Sequence, residues 1–324
     1  MADPRMRVVT MEEHFFSPAF VAGPGKDLKN SPNPNLVRTF EASCEVGEKR
    51  IALMDRDGVD VQILSHGPGV ELLEADVQVP LVRDTNDWLV ECCKRFPTRY
   101  YGFATIPTAC PPEAPRELER MMKAGFKGSC INGHQNGRYL DDPAYLPFFE
   151  ASEALDAPLY LHPTPPPKAV SDVYYAGFSP TVSTVFAGAC WGWHIETAVH
   201  AMRLVLAGVF DRFPKLQVVI GHTGEGLPFM MPRMERMLRP EMTKLKHSIS
   251  HYLRNNFYYT FSGFNFIPNF QNMITQIDME RIMLSLDYPY QEMSWGVKFL
   301  DSLPVTPRQR RMIACENADR LFKL

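Results

Sequence analysis

Arg7–Phe16, RVVTMEEHFF, is the stretch on which the reading of the chain turns. Val8, Val9 and Met11 form a short apolar run that reads as a buried strand, and it stops abruptly at Glu12-Glu13-His14. Residues i and i+2 of an extended strand point the same way, so Glu12 and His14 are expected to share a face and converge on one point. A carboxylate oxygen and an imidazole nitrogen placed together are ligands for a divalent metal such as zinc or manganese. An isolated E-x-H is more often a solvated strand end. The metal reading gains weight because three later strands end in the same kind of residue.

Those strands appear as apolar runs along the rest of the chain. Val59–Leu64 (VDVQIL) leads into Ser65-His66-Gly67, and Tyr100–Thr105 (YYGFAT) and Gly128–Asn132 (GSCIN) follow. Pro158–Leu161 (PLYL) delivers His162, Leu216–Gly221 (LQVVIG) ends at His222, and Ile282–Leu286 (IMLSL) ends at Asp287, with Phe257–Phe261 (FYYTF) between the last two. Helical patterns over Glu48–Asp57, Leu81–Arg95, Glu113–Ala124, Pro147–Leu155 and Glu196–Phe210 alternate with the strands. Thr306-Pro307 reads as an N-cap followed by a first-turn proline, opening a last helix to Leu321. Eight strands in this rhythm imply a parallel sheet closed into a single-domain (β/α)8 TIM-like barrel spanning residues 1–324. Ser17–Cys44 and the Pro- and aromatic-rich segment 162–186 are expected to be long loops inserted after strands one and five.

A hydrophobic content of 45% with 22% charged residues belongs to a globular protein with a full core. A net charge of −3, with both signs interspersed, argues against nucleic acid or an anionic membrane as the main partner. MADPRMRVVT lacks an apolar leader region, and no apolar run approaches the roughly 18 residues of a membrane span. Seven cysteines, an odd number without a C-x-x-C pair, suggest reduced thiols and a cytoplasmic location.

The C-terminal strand ends of such a barrel face one pocket. Here they collect Glu12, His14, His162, His222 and Asp287, a nitrogen and oxygen donor set suited to zinc, manganese or magnesium. A lone histidine at a strand end is more often hydrogen-bonded structure than ligand. The convergence of several predicts one divalent ion per chain and no organic cofactor.

On these residues, and on the segments MEEHF, GFKGSCINGHQNGRYLDD, LYLHP, GVFDRFPKLQVVIGHTGEGLPFMMPR, LSLDYPYQ and ENADRLFKL, the chain resembles the amidohydrolase superfamily. The resemblance is to its branch of non-oxidative aromatic-acid decarboxylases acting on γ-resorcylate, 2,3-dihydroxybenzoate and 5-carboxyvanillate. Aminocarboxymuconate-semialdehyde decarboxylase is similar at greater distance. The resemblance implies metal ligation by Glu12, His14, His162 and Asp287. It places His222 and Glu225 beside the metal or on the substrate. Leu286 stands where some relatives have Thr or Ser, a change to the pocket wall rather than to ligation.

Two reactions suit such a site. In a hydrolase, a metal lowers the pKa of bound water to roughly 7 for attack on an ester or amide. The binuclear form uses a carboxylated lysine at the end of strand four, where this chain has Asn132, with Lys127 at the opposite end, so only a mononuclear lactonase or amidohydrolase fits. In the decarboxylation of an ortho-hydroxybenzoate, protonating the ring carbon first avoids an aryl carbanion, and the resemblance assigns that proton to Asp287. A barrel that has lost its chemistry and only binds is a third reading, weakened by the full ligand set. Phe15, Tyr288, Tyr290, Trp191 and Trp193 are candidates for an apolar slot around a ring, and His134 for a substrate contact; His66, in a Gly-Pro turn, reads as structural. The segment 224–242, GEGLPFMMPRMERMLRPEM, crowds methionine and arginine. That pattern suits an interface core, and equally a helix packed on its own barrel. In the resembling enzymes the matching arginine reaches the neighbouring subunit's substrate. The resemblance thus implies substrate binding by Arg233 in a homodimer or homotetramer, with a small aromatic carboxylate as partner.

Overall fold

The computed structural model describes residues 5–31 and 34–324. Residues 1–4, part of the N-terminal stretch read above as lacking a leader, and residues 32–33, inside the first expected loop, lie outside the described residues. Strands run over Val9–Phe15 (β1), Val61–His66 (β2), Tyr100–Gly102 (β3), Ala104–Thr105 (β4), Ser129–Asn132 (β5), Leu159–His162 (β6), Val218–Ile220 (β7), Phe257–Thr260 (β8) and Ile282–Met283 (β9). Each neighbouring pair is parallel, in the orders β1-β2-β3 and β4-β5-β6-β7-β8-β9. β3 and β4 are one barrel strand interrupted at Phe103, whose N–H donates to the Leu64 carbonyl at 2.9 Å and so ties the two sheets together. A parallel bridge between Met11 and Ser285 joins β1 to the continuation of β9. The ring closes, and the expected (β/α)8 barrel is the fold.

Alternation along each strand sorts residues between two layers. Val9, Met11, Val61, Ile63, Cys130, Tyr160, Val219, Tyr258 and Met283 form the barrel interior, closed by Cys315, Ala318 and Phe322 of the C-terminal segment. Leu64, Ile131, Leu161, Val218, Tyr259 and Leu284 face the surrounding helices.

On β1 this alternation is broken. With Val9 and Met11 inside, a regular strand would turn Glu12 and His14 outward together. The pairing to β2 instead slips between Met11 and Glu13, and Glu12 adopts φ 62°. This is a one-residue bulge, which reverses the parity beyond it. His14 therefore faces inward, while Phe15 packs in the outer layer. The expectation that Glu12 and His14 share a face is met, but through the bulge and not through regular i, i+2 geometry.

Several helices differ from expectation for reasons tied to proline. The helix Ala75–Arg95 begins six residues before the expected Leu81, because Pro80 lies inside it instead of ending it. The inserts after β1 and β6 are not bare loops: they contain the short helices Pro18–Ala22, Pro34–Ser43, Lys168–Tyr174 and Pro180–Ala187. Three of these start on a proline, and Ser17 and Ser179 supply side-chain caps. The prolines mark helix starts, not breaks. Thr306 forms the expected cap as a full capping box with Gln309. Among the described residues no helix is long and apolar enough to cross a membrane.

Gly128 admits a direct test of strand entry. It has φ +137°, and a Cβ there would lie 2.3 Å from the Pro158 carbonyl oxygen, which accepts the Ser129 N–H. Gly128→Ala is expected to cost about 1–3 kcal/mol. Gly125→Ala also has positive φ but meets nothing within 4 Å, so it should cost less. Thermal unfolding of the two variants checks the order.

Candidate metal centre and active site

Glu12 is held from below by hydroxyls. Its Oε2 accepts from Tyr160 and Ser262. Thr260 lies 2.8 Å from the Tyr160 oxygen, and Ser285 lies 2.8 Å from the Ser262 oxygen. Oε1 is left buried with no hydrogen-bond partner, 3.4 Å from His162 Nε2. His162 Nδ1–H donates to the Pro163 carbonyl at 2.9 Å, which turns the Nε2 lone pair inward. His14 Nε2 is likewise buried without a partner and lies 3.4 Å from Asp287 Oδ1. One donor atom from each of Glu12, His14 and His162 falls within 4.8 Å of the others.

Asp287 stands at φ 61°, and Glu13 braces the backbone on both sides of it. Glu13 Oε1 accepts the Leu286 N–H at 3.0 Å, and Oε2 accepts the Tyr288 N–H at 3.3 Å. Gln62 donates to the same carboxyl at 3.2 Å. The buried Arg50 donates to Gln62 at 2.8 Å and to the His14 carbonyl at 2.7 Å.

Burial governs protonation here. It lowers His14 to about 3, aided by Arg50 and His222, and holds His162 well below its ordinary value. Both rings are therefore neutral near pH 7, with lone pairs free. Burial and then the charge of Asp287 raise Glu12, against the hydrogen bond from Tyr160. Burial also raises Asp287, against His222 and His194. Neutral imidazoles with free lone pairs, beside carboxyls that lack a countercharge, are what a divalent cation requires. The donor set fits manganese or zinc.

A second group adjoins the first. Glu225 Oε1 bonds His222 Nδ1 at 2.7 Å, and its Oε2 bonds His194 Nδ1 at 2.6 Å. His222 Nε2 faces Glu12 Oε1 at 3.9 Å. The turn that achieves this holds His222, Thr223 and Glu225 at φ 50°, 56° and 54°.

The structure thus brings Glu12, His14, His162 and Asp287 together, with His222 and Glu225 alongside. It does not bring Phe15 or Tyr288 to the site. Phe15 stacks on Trp88 at 5.5 Å in the outer core, on the far side of the bulged strand. The Tyr288 ring lies under the Arg50 guanidinium at 4.7 Å. Tyr290 meets the His14 ring edge-on at 5.3 Å. Trp191 is exposed, and Trp193 is half-buried against His194. His134 sits on the loop after β5 with its ring against Tyr139 at 5.4 Å, its Nδ1 accepting the Gly137 N–H and its Nε2 buried without a partner. His66 is structural as expected, packed among Phe15, Phe16 and Phe20. Arg233 is exposed on the helix Leu227–Met237, with no side-chain partner among the described residues.

Glu13, Tyr160, Ser262 and His194 escaped the sequence reading. Tyr160 carried a signal, since it lies two residues before His162 and shares its face. His194 did not, because the helix that carries it was expected to begin at Glu196 and begins at Gly192.

Comparison with known proteins agrees with this architecture. The family described as amidohydrolase matches residues 14–324. The γ-resorcylate decarboxylase of Polaromonas sp. strain JS666 is 32% identical, over 98% of each chain. A crystal structure of a 2,6-dihydroxybenzoate decarboxylase complexed with 2,6-dihydroxybenzoate superposes with TM-score 0.90 at 32% identity, covering 98% of this chain and 100% of that one. The 5-carboxyvanillate decarboxylase of Novosphingobium aromaticivorans, solved with manganese and 4-hydroxy-3-methoxy-5-nitrobenzoic acid, gives TM-score 0.90 at 30% identity, covering 100% and 98%. The chain belongs to the amidohydrolase family.

The hydroxyl cradle under Glu12 is testable apart from turnover. Tyr160→Phe removes a donor that orients the carboxylate, and it is expected to weaken manganese affinity ~10–100-fold. Calorimetric titration of manganese into the metal-stripped protein measures the change.

Proposed function

We propose that this chain is a divalent-metal-dependent, non-oxidative decarboxylase of a hydroxylated benzoate, a carboxy-lyase in which residues 1–324 act as one catalytic domain. One observation carries the reading: Glu12 Oε1 and His14 Nε2 are buried without partners, beside His162 and Asp287, in the pocket of a barrel whose named relatives are decarboxylases of such acids. Those relatives favour decarboxylation over the mononuclear hydrolase alternative.

Glu12, His14, His162 and Asp287 would hold the metal, manganese or zinc with magnesium as a third candidate. When bound, it would supply Lewis acidity toward the oxygens of an ortho-hydroxybenzoate, an effect worth several kcal/mol. Asp287 delivers a proton to the ring carbon bearing the carboxylate. The bond from that carbon to the carboxyl carbon then breaks, its electron pair returns to the ring, and CO2 leaves. The net change is loss of CO2 and gain of one proton at the same carbon. His222, fixed by Glu225, orients substrate or water against the ring. His134 reaches the substrate with its free Nε2. The pattern of seven cysteines, an odd number without a C-x-x-C pair, supports assigning it a reducing, cytoplasmic setting.

Asp287→Asn is expected to keep part of the ligand affinity and to lose turnover. In deuterium oxide the wild-type product should carry one deuterium where the carboxyl had been. Product without that label rules out ring protonation from an exchangeable group, and full activity in protein shown to be metal-free removes the metal from the reaction.

Arg233 is assigned to the substrate of a neighbouring subunit. Support comes from its exposure without a partner and from Phe229, Met230 and Met237, exposed on the same helix. Met231 and Met234 do pack on their own barrel, so only part of the methionine-rich face is left for a homodimer or homotetramer. Mixing Arg233→Ala with Asp287→Asn under subunit exchange is expected to restore activity, because one site of each mixed dimer is then intact. If mixed dimers form and stay inactive, Arg233 does not act across the interface.

A further inference from the structure

The loop after β2 carries a buried carboxyl that the reaction above does not use. Glu71 lies in the single turn Val70–Leu72 and is 5% exposed. Its Oε2 accepts the Gly69 N–H at 2.7 Å, and the side chains of Asn132 and Thr164 lie against the carboxyl. The turn is rigidly tied: Gln78 Nε2 donates to the Val70 carbonyl at 2.7 Å, and Gln135 Nε2 donates to the Leu73 carbonyl at 2.9 Å.

Asn132 puts Glu71 on the pocket side of the loop: it is the inward-facing end of β5, in register with His162 on β6, its Oδ1 is buried without a partner, and its side chain lies against the Glu71 carboxyl. Burial pushes the Glu71 carboxyl up to about 7, against the Gly69 N–H, so it does not set a full negative charge against an anionic substrate.

We propose that Glu71, with Asn132 beside it, determines ring-substituent specificity by hydrogen-bonding a second hydroxyl of the benzoate, away from the edge that carries the carboxylate and ortho oxygen. The ligand class rests on the decarboxylase reading; the placement of Glu71 does not. A ring filling the pocket expels water from Glu71 and Asn132. A ligand that offers no hydroxyl there leaves the buried Asn132 Oδ1 unpaired and the Glu71 carboxyl with only its bonds from the protein, and is rejected for that reason.

The test compares salicylate with 2,3-, 2,4-, 2,5- and 2,6-dihydroxybenzoate on the manganese-loaded protein, by calorimetric Kd and by kcat/KM for CO2 release. Wild type is expected to prefer at least one dihydroxybenzoate over salicylate by about 10-fold or more in Kd. Glu71→Leu should bring that ratio close to one, while Glu71→Gln, which keeps hydrogen-bonding capacity, should retain most of it. Equal weakening of all ligands by Glu71→Leu, an unchanged ratio, or no wild-type preference overturns the assignment. If Glu71→Leu does not fold, loss of the preference in Asn132→Leu supports the proposal and its retention there overturns it. If the binding preference behaves as expected but no CO2 is released from any ligand, the specificity assignment stands and the decarboxylase reading fails.

Discussion

The pocket depends on a backbone constraint: Glu12, His222, Glu225 and Asp287 all hold positive φ. Side-chain-bearing residues rarely adopt that conformation, which costs of order 1–3 kcal/mol at each position. It persists only where the surroundings over-determine it. At Glu12 they do: the bulge inserts one residue between Met11 and Glu13, and the hydroxyls of Tyr160 and Ser262 hold the turned-in carboxylate. Remove the bulge and the parity of β1 reverts, sending His14 to the outer layer and Phe15 into the pocket. One inserted residue thus decides which of two adjacent side chains, an imidazole or a phenyl ring, faces the reacting centre.

The second constraint is the brace around Asp287. Burying a carboxyl without partners is costly, yet Glu13 is buried directly behind the ligand set. Its two oxygens are occupied by the amides of Leu286 and Tyr288, one on either side of Asp287, and by Gln62. Arg50 supplies the nearby positive charge and reaches the His14 carbonyl. The doubled glutamate of the motif therefore has divided roles. Glu12 offers an oxygen to the pocket, while Glu13 fixes β1 against the chain beyond β9, the two strand ends that carry three of the four candidate metal-binding residues, Glu12, His14 and Asp287.

The barrel was legible because each strand is a short apolar run that ends in a polar residue, and that contrast survives errors of a residue or two in the boundaries. The candidate metal-binding residues stand out for the same reason, and the barrel brings Glu12, His14, His162 and Asp287 together. What failed depended on geometry that a regular strand cannot report. Phe15 and Tyr288 were assigned to the pocket from their nearness to ligands in sequence, but the bulge and the brace turn both toward the outside. The inserts were read as loops because their proline-rich composition shows little helical period, yet three of the four helices there open on a proline. Glu71 carries no pattern at all: its place beside Asn132 comes from the packing of the loop after β2 against the end of β5, 61 positions further along the chain.

Two neighbouring groups offer metal-ligand atoms, Glu12 with His14 and His162, and Glu225 with His194 and His222, yet their chemistry differs. In the first, burial strips the imidazoles of protons and leaves Nε2 of His14 and Oε1 of Glu12 uncommitted. In the second, both Nδ1 atoms are already engaged by one carboxylate, at 2.7 and 2.6 Å. Although burial alone would lower His194, its bond to Glu225 raises it overall, and against burial the His222 and His194 rings hold Glu225 below its ordinary value. A cation there would have to displace protons and break two charge-assisted hydrogen bonds. The same residue types thus divide one pocket into a half whose ligand atoms are left uncommitted and a half whose ligand atoms are already hydrogen-bonded to one another. The two halves meet where His222 faces Glu12 across 3.9 Å, so the fully engaged group borders directly on the donor atoms that the first group leaves uncommitted.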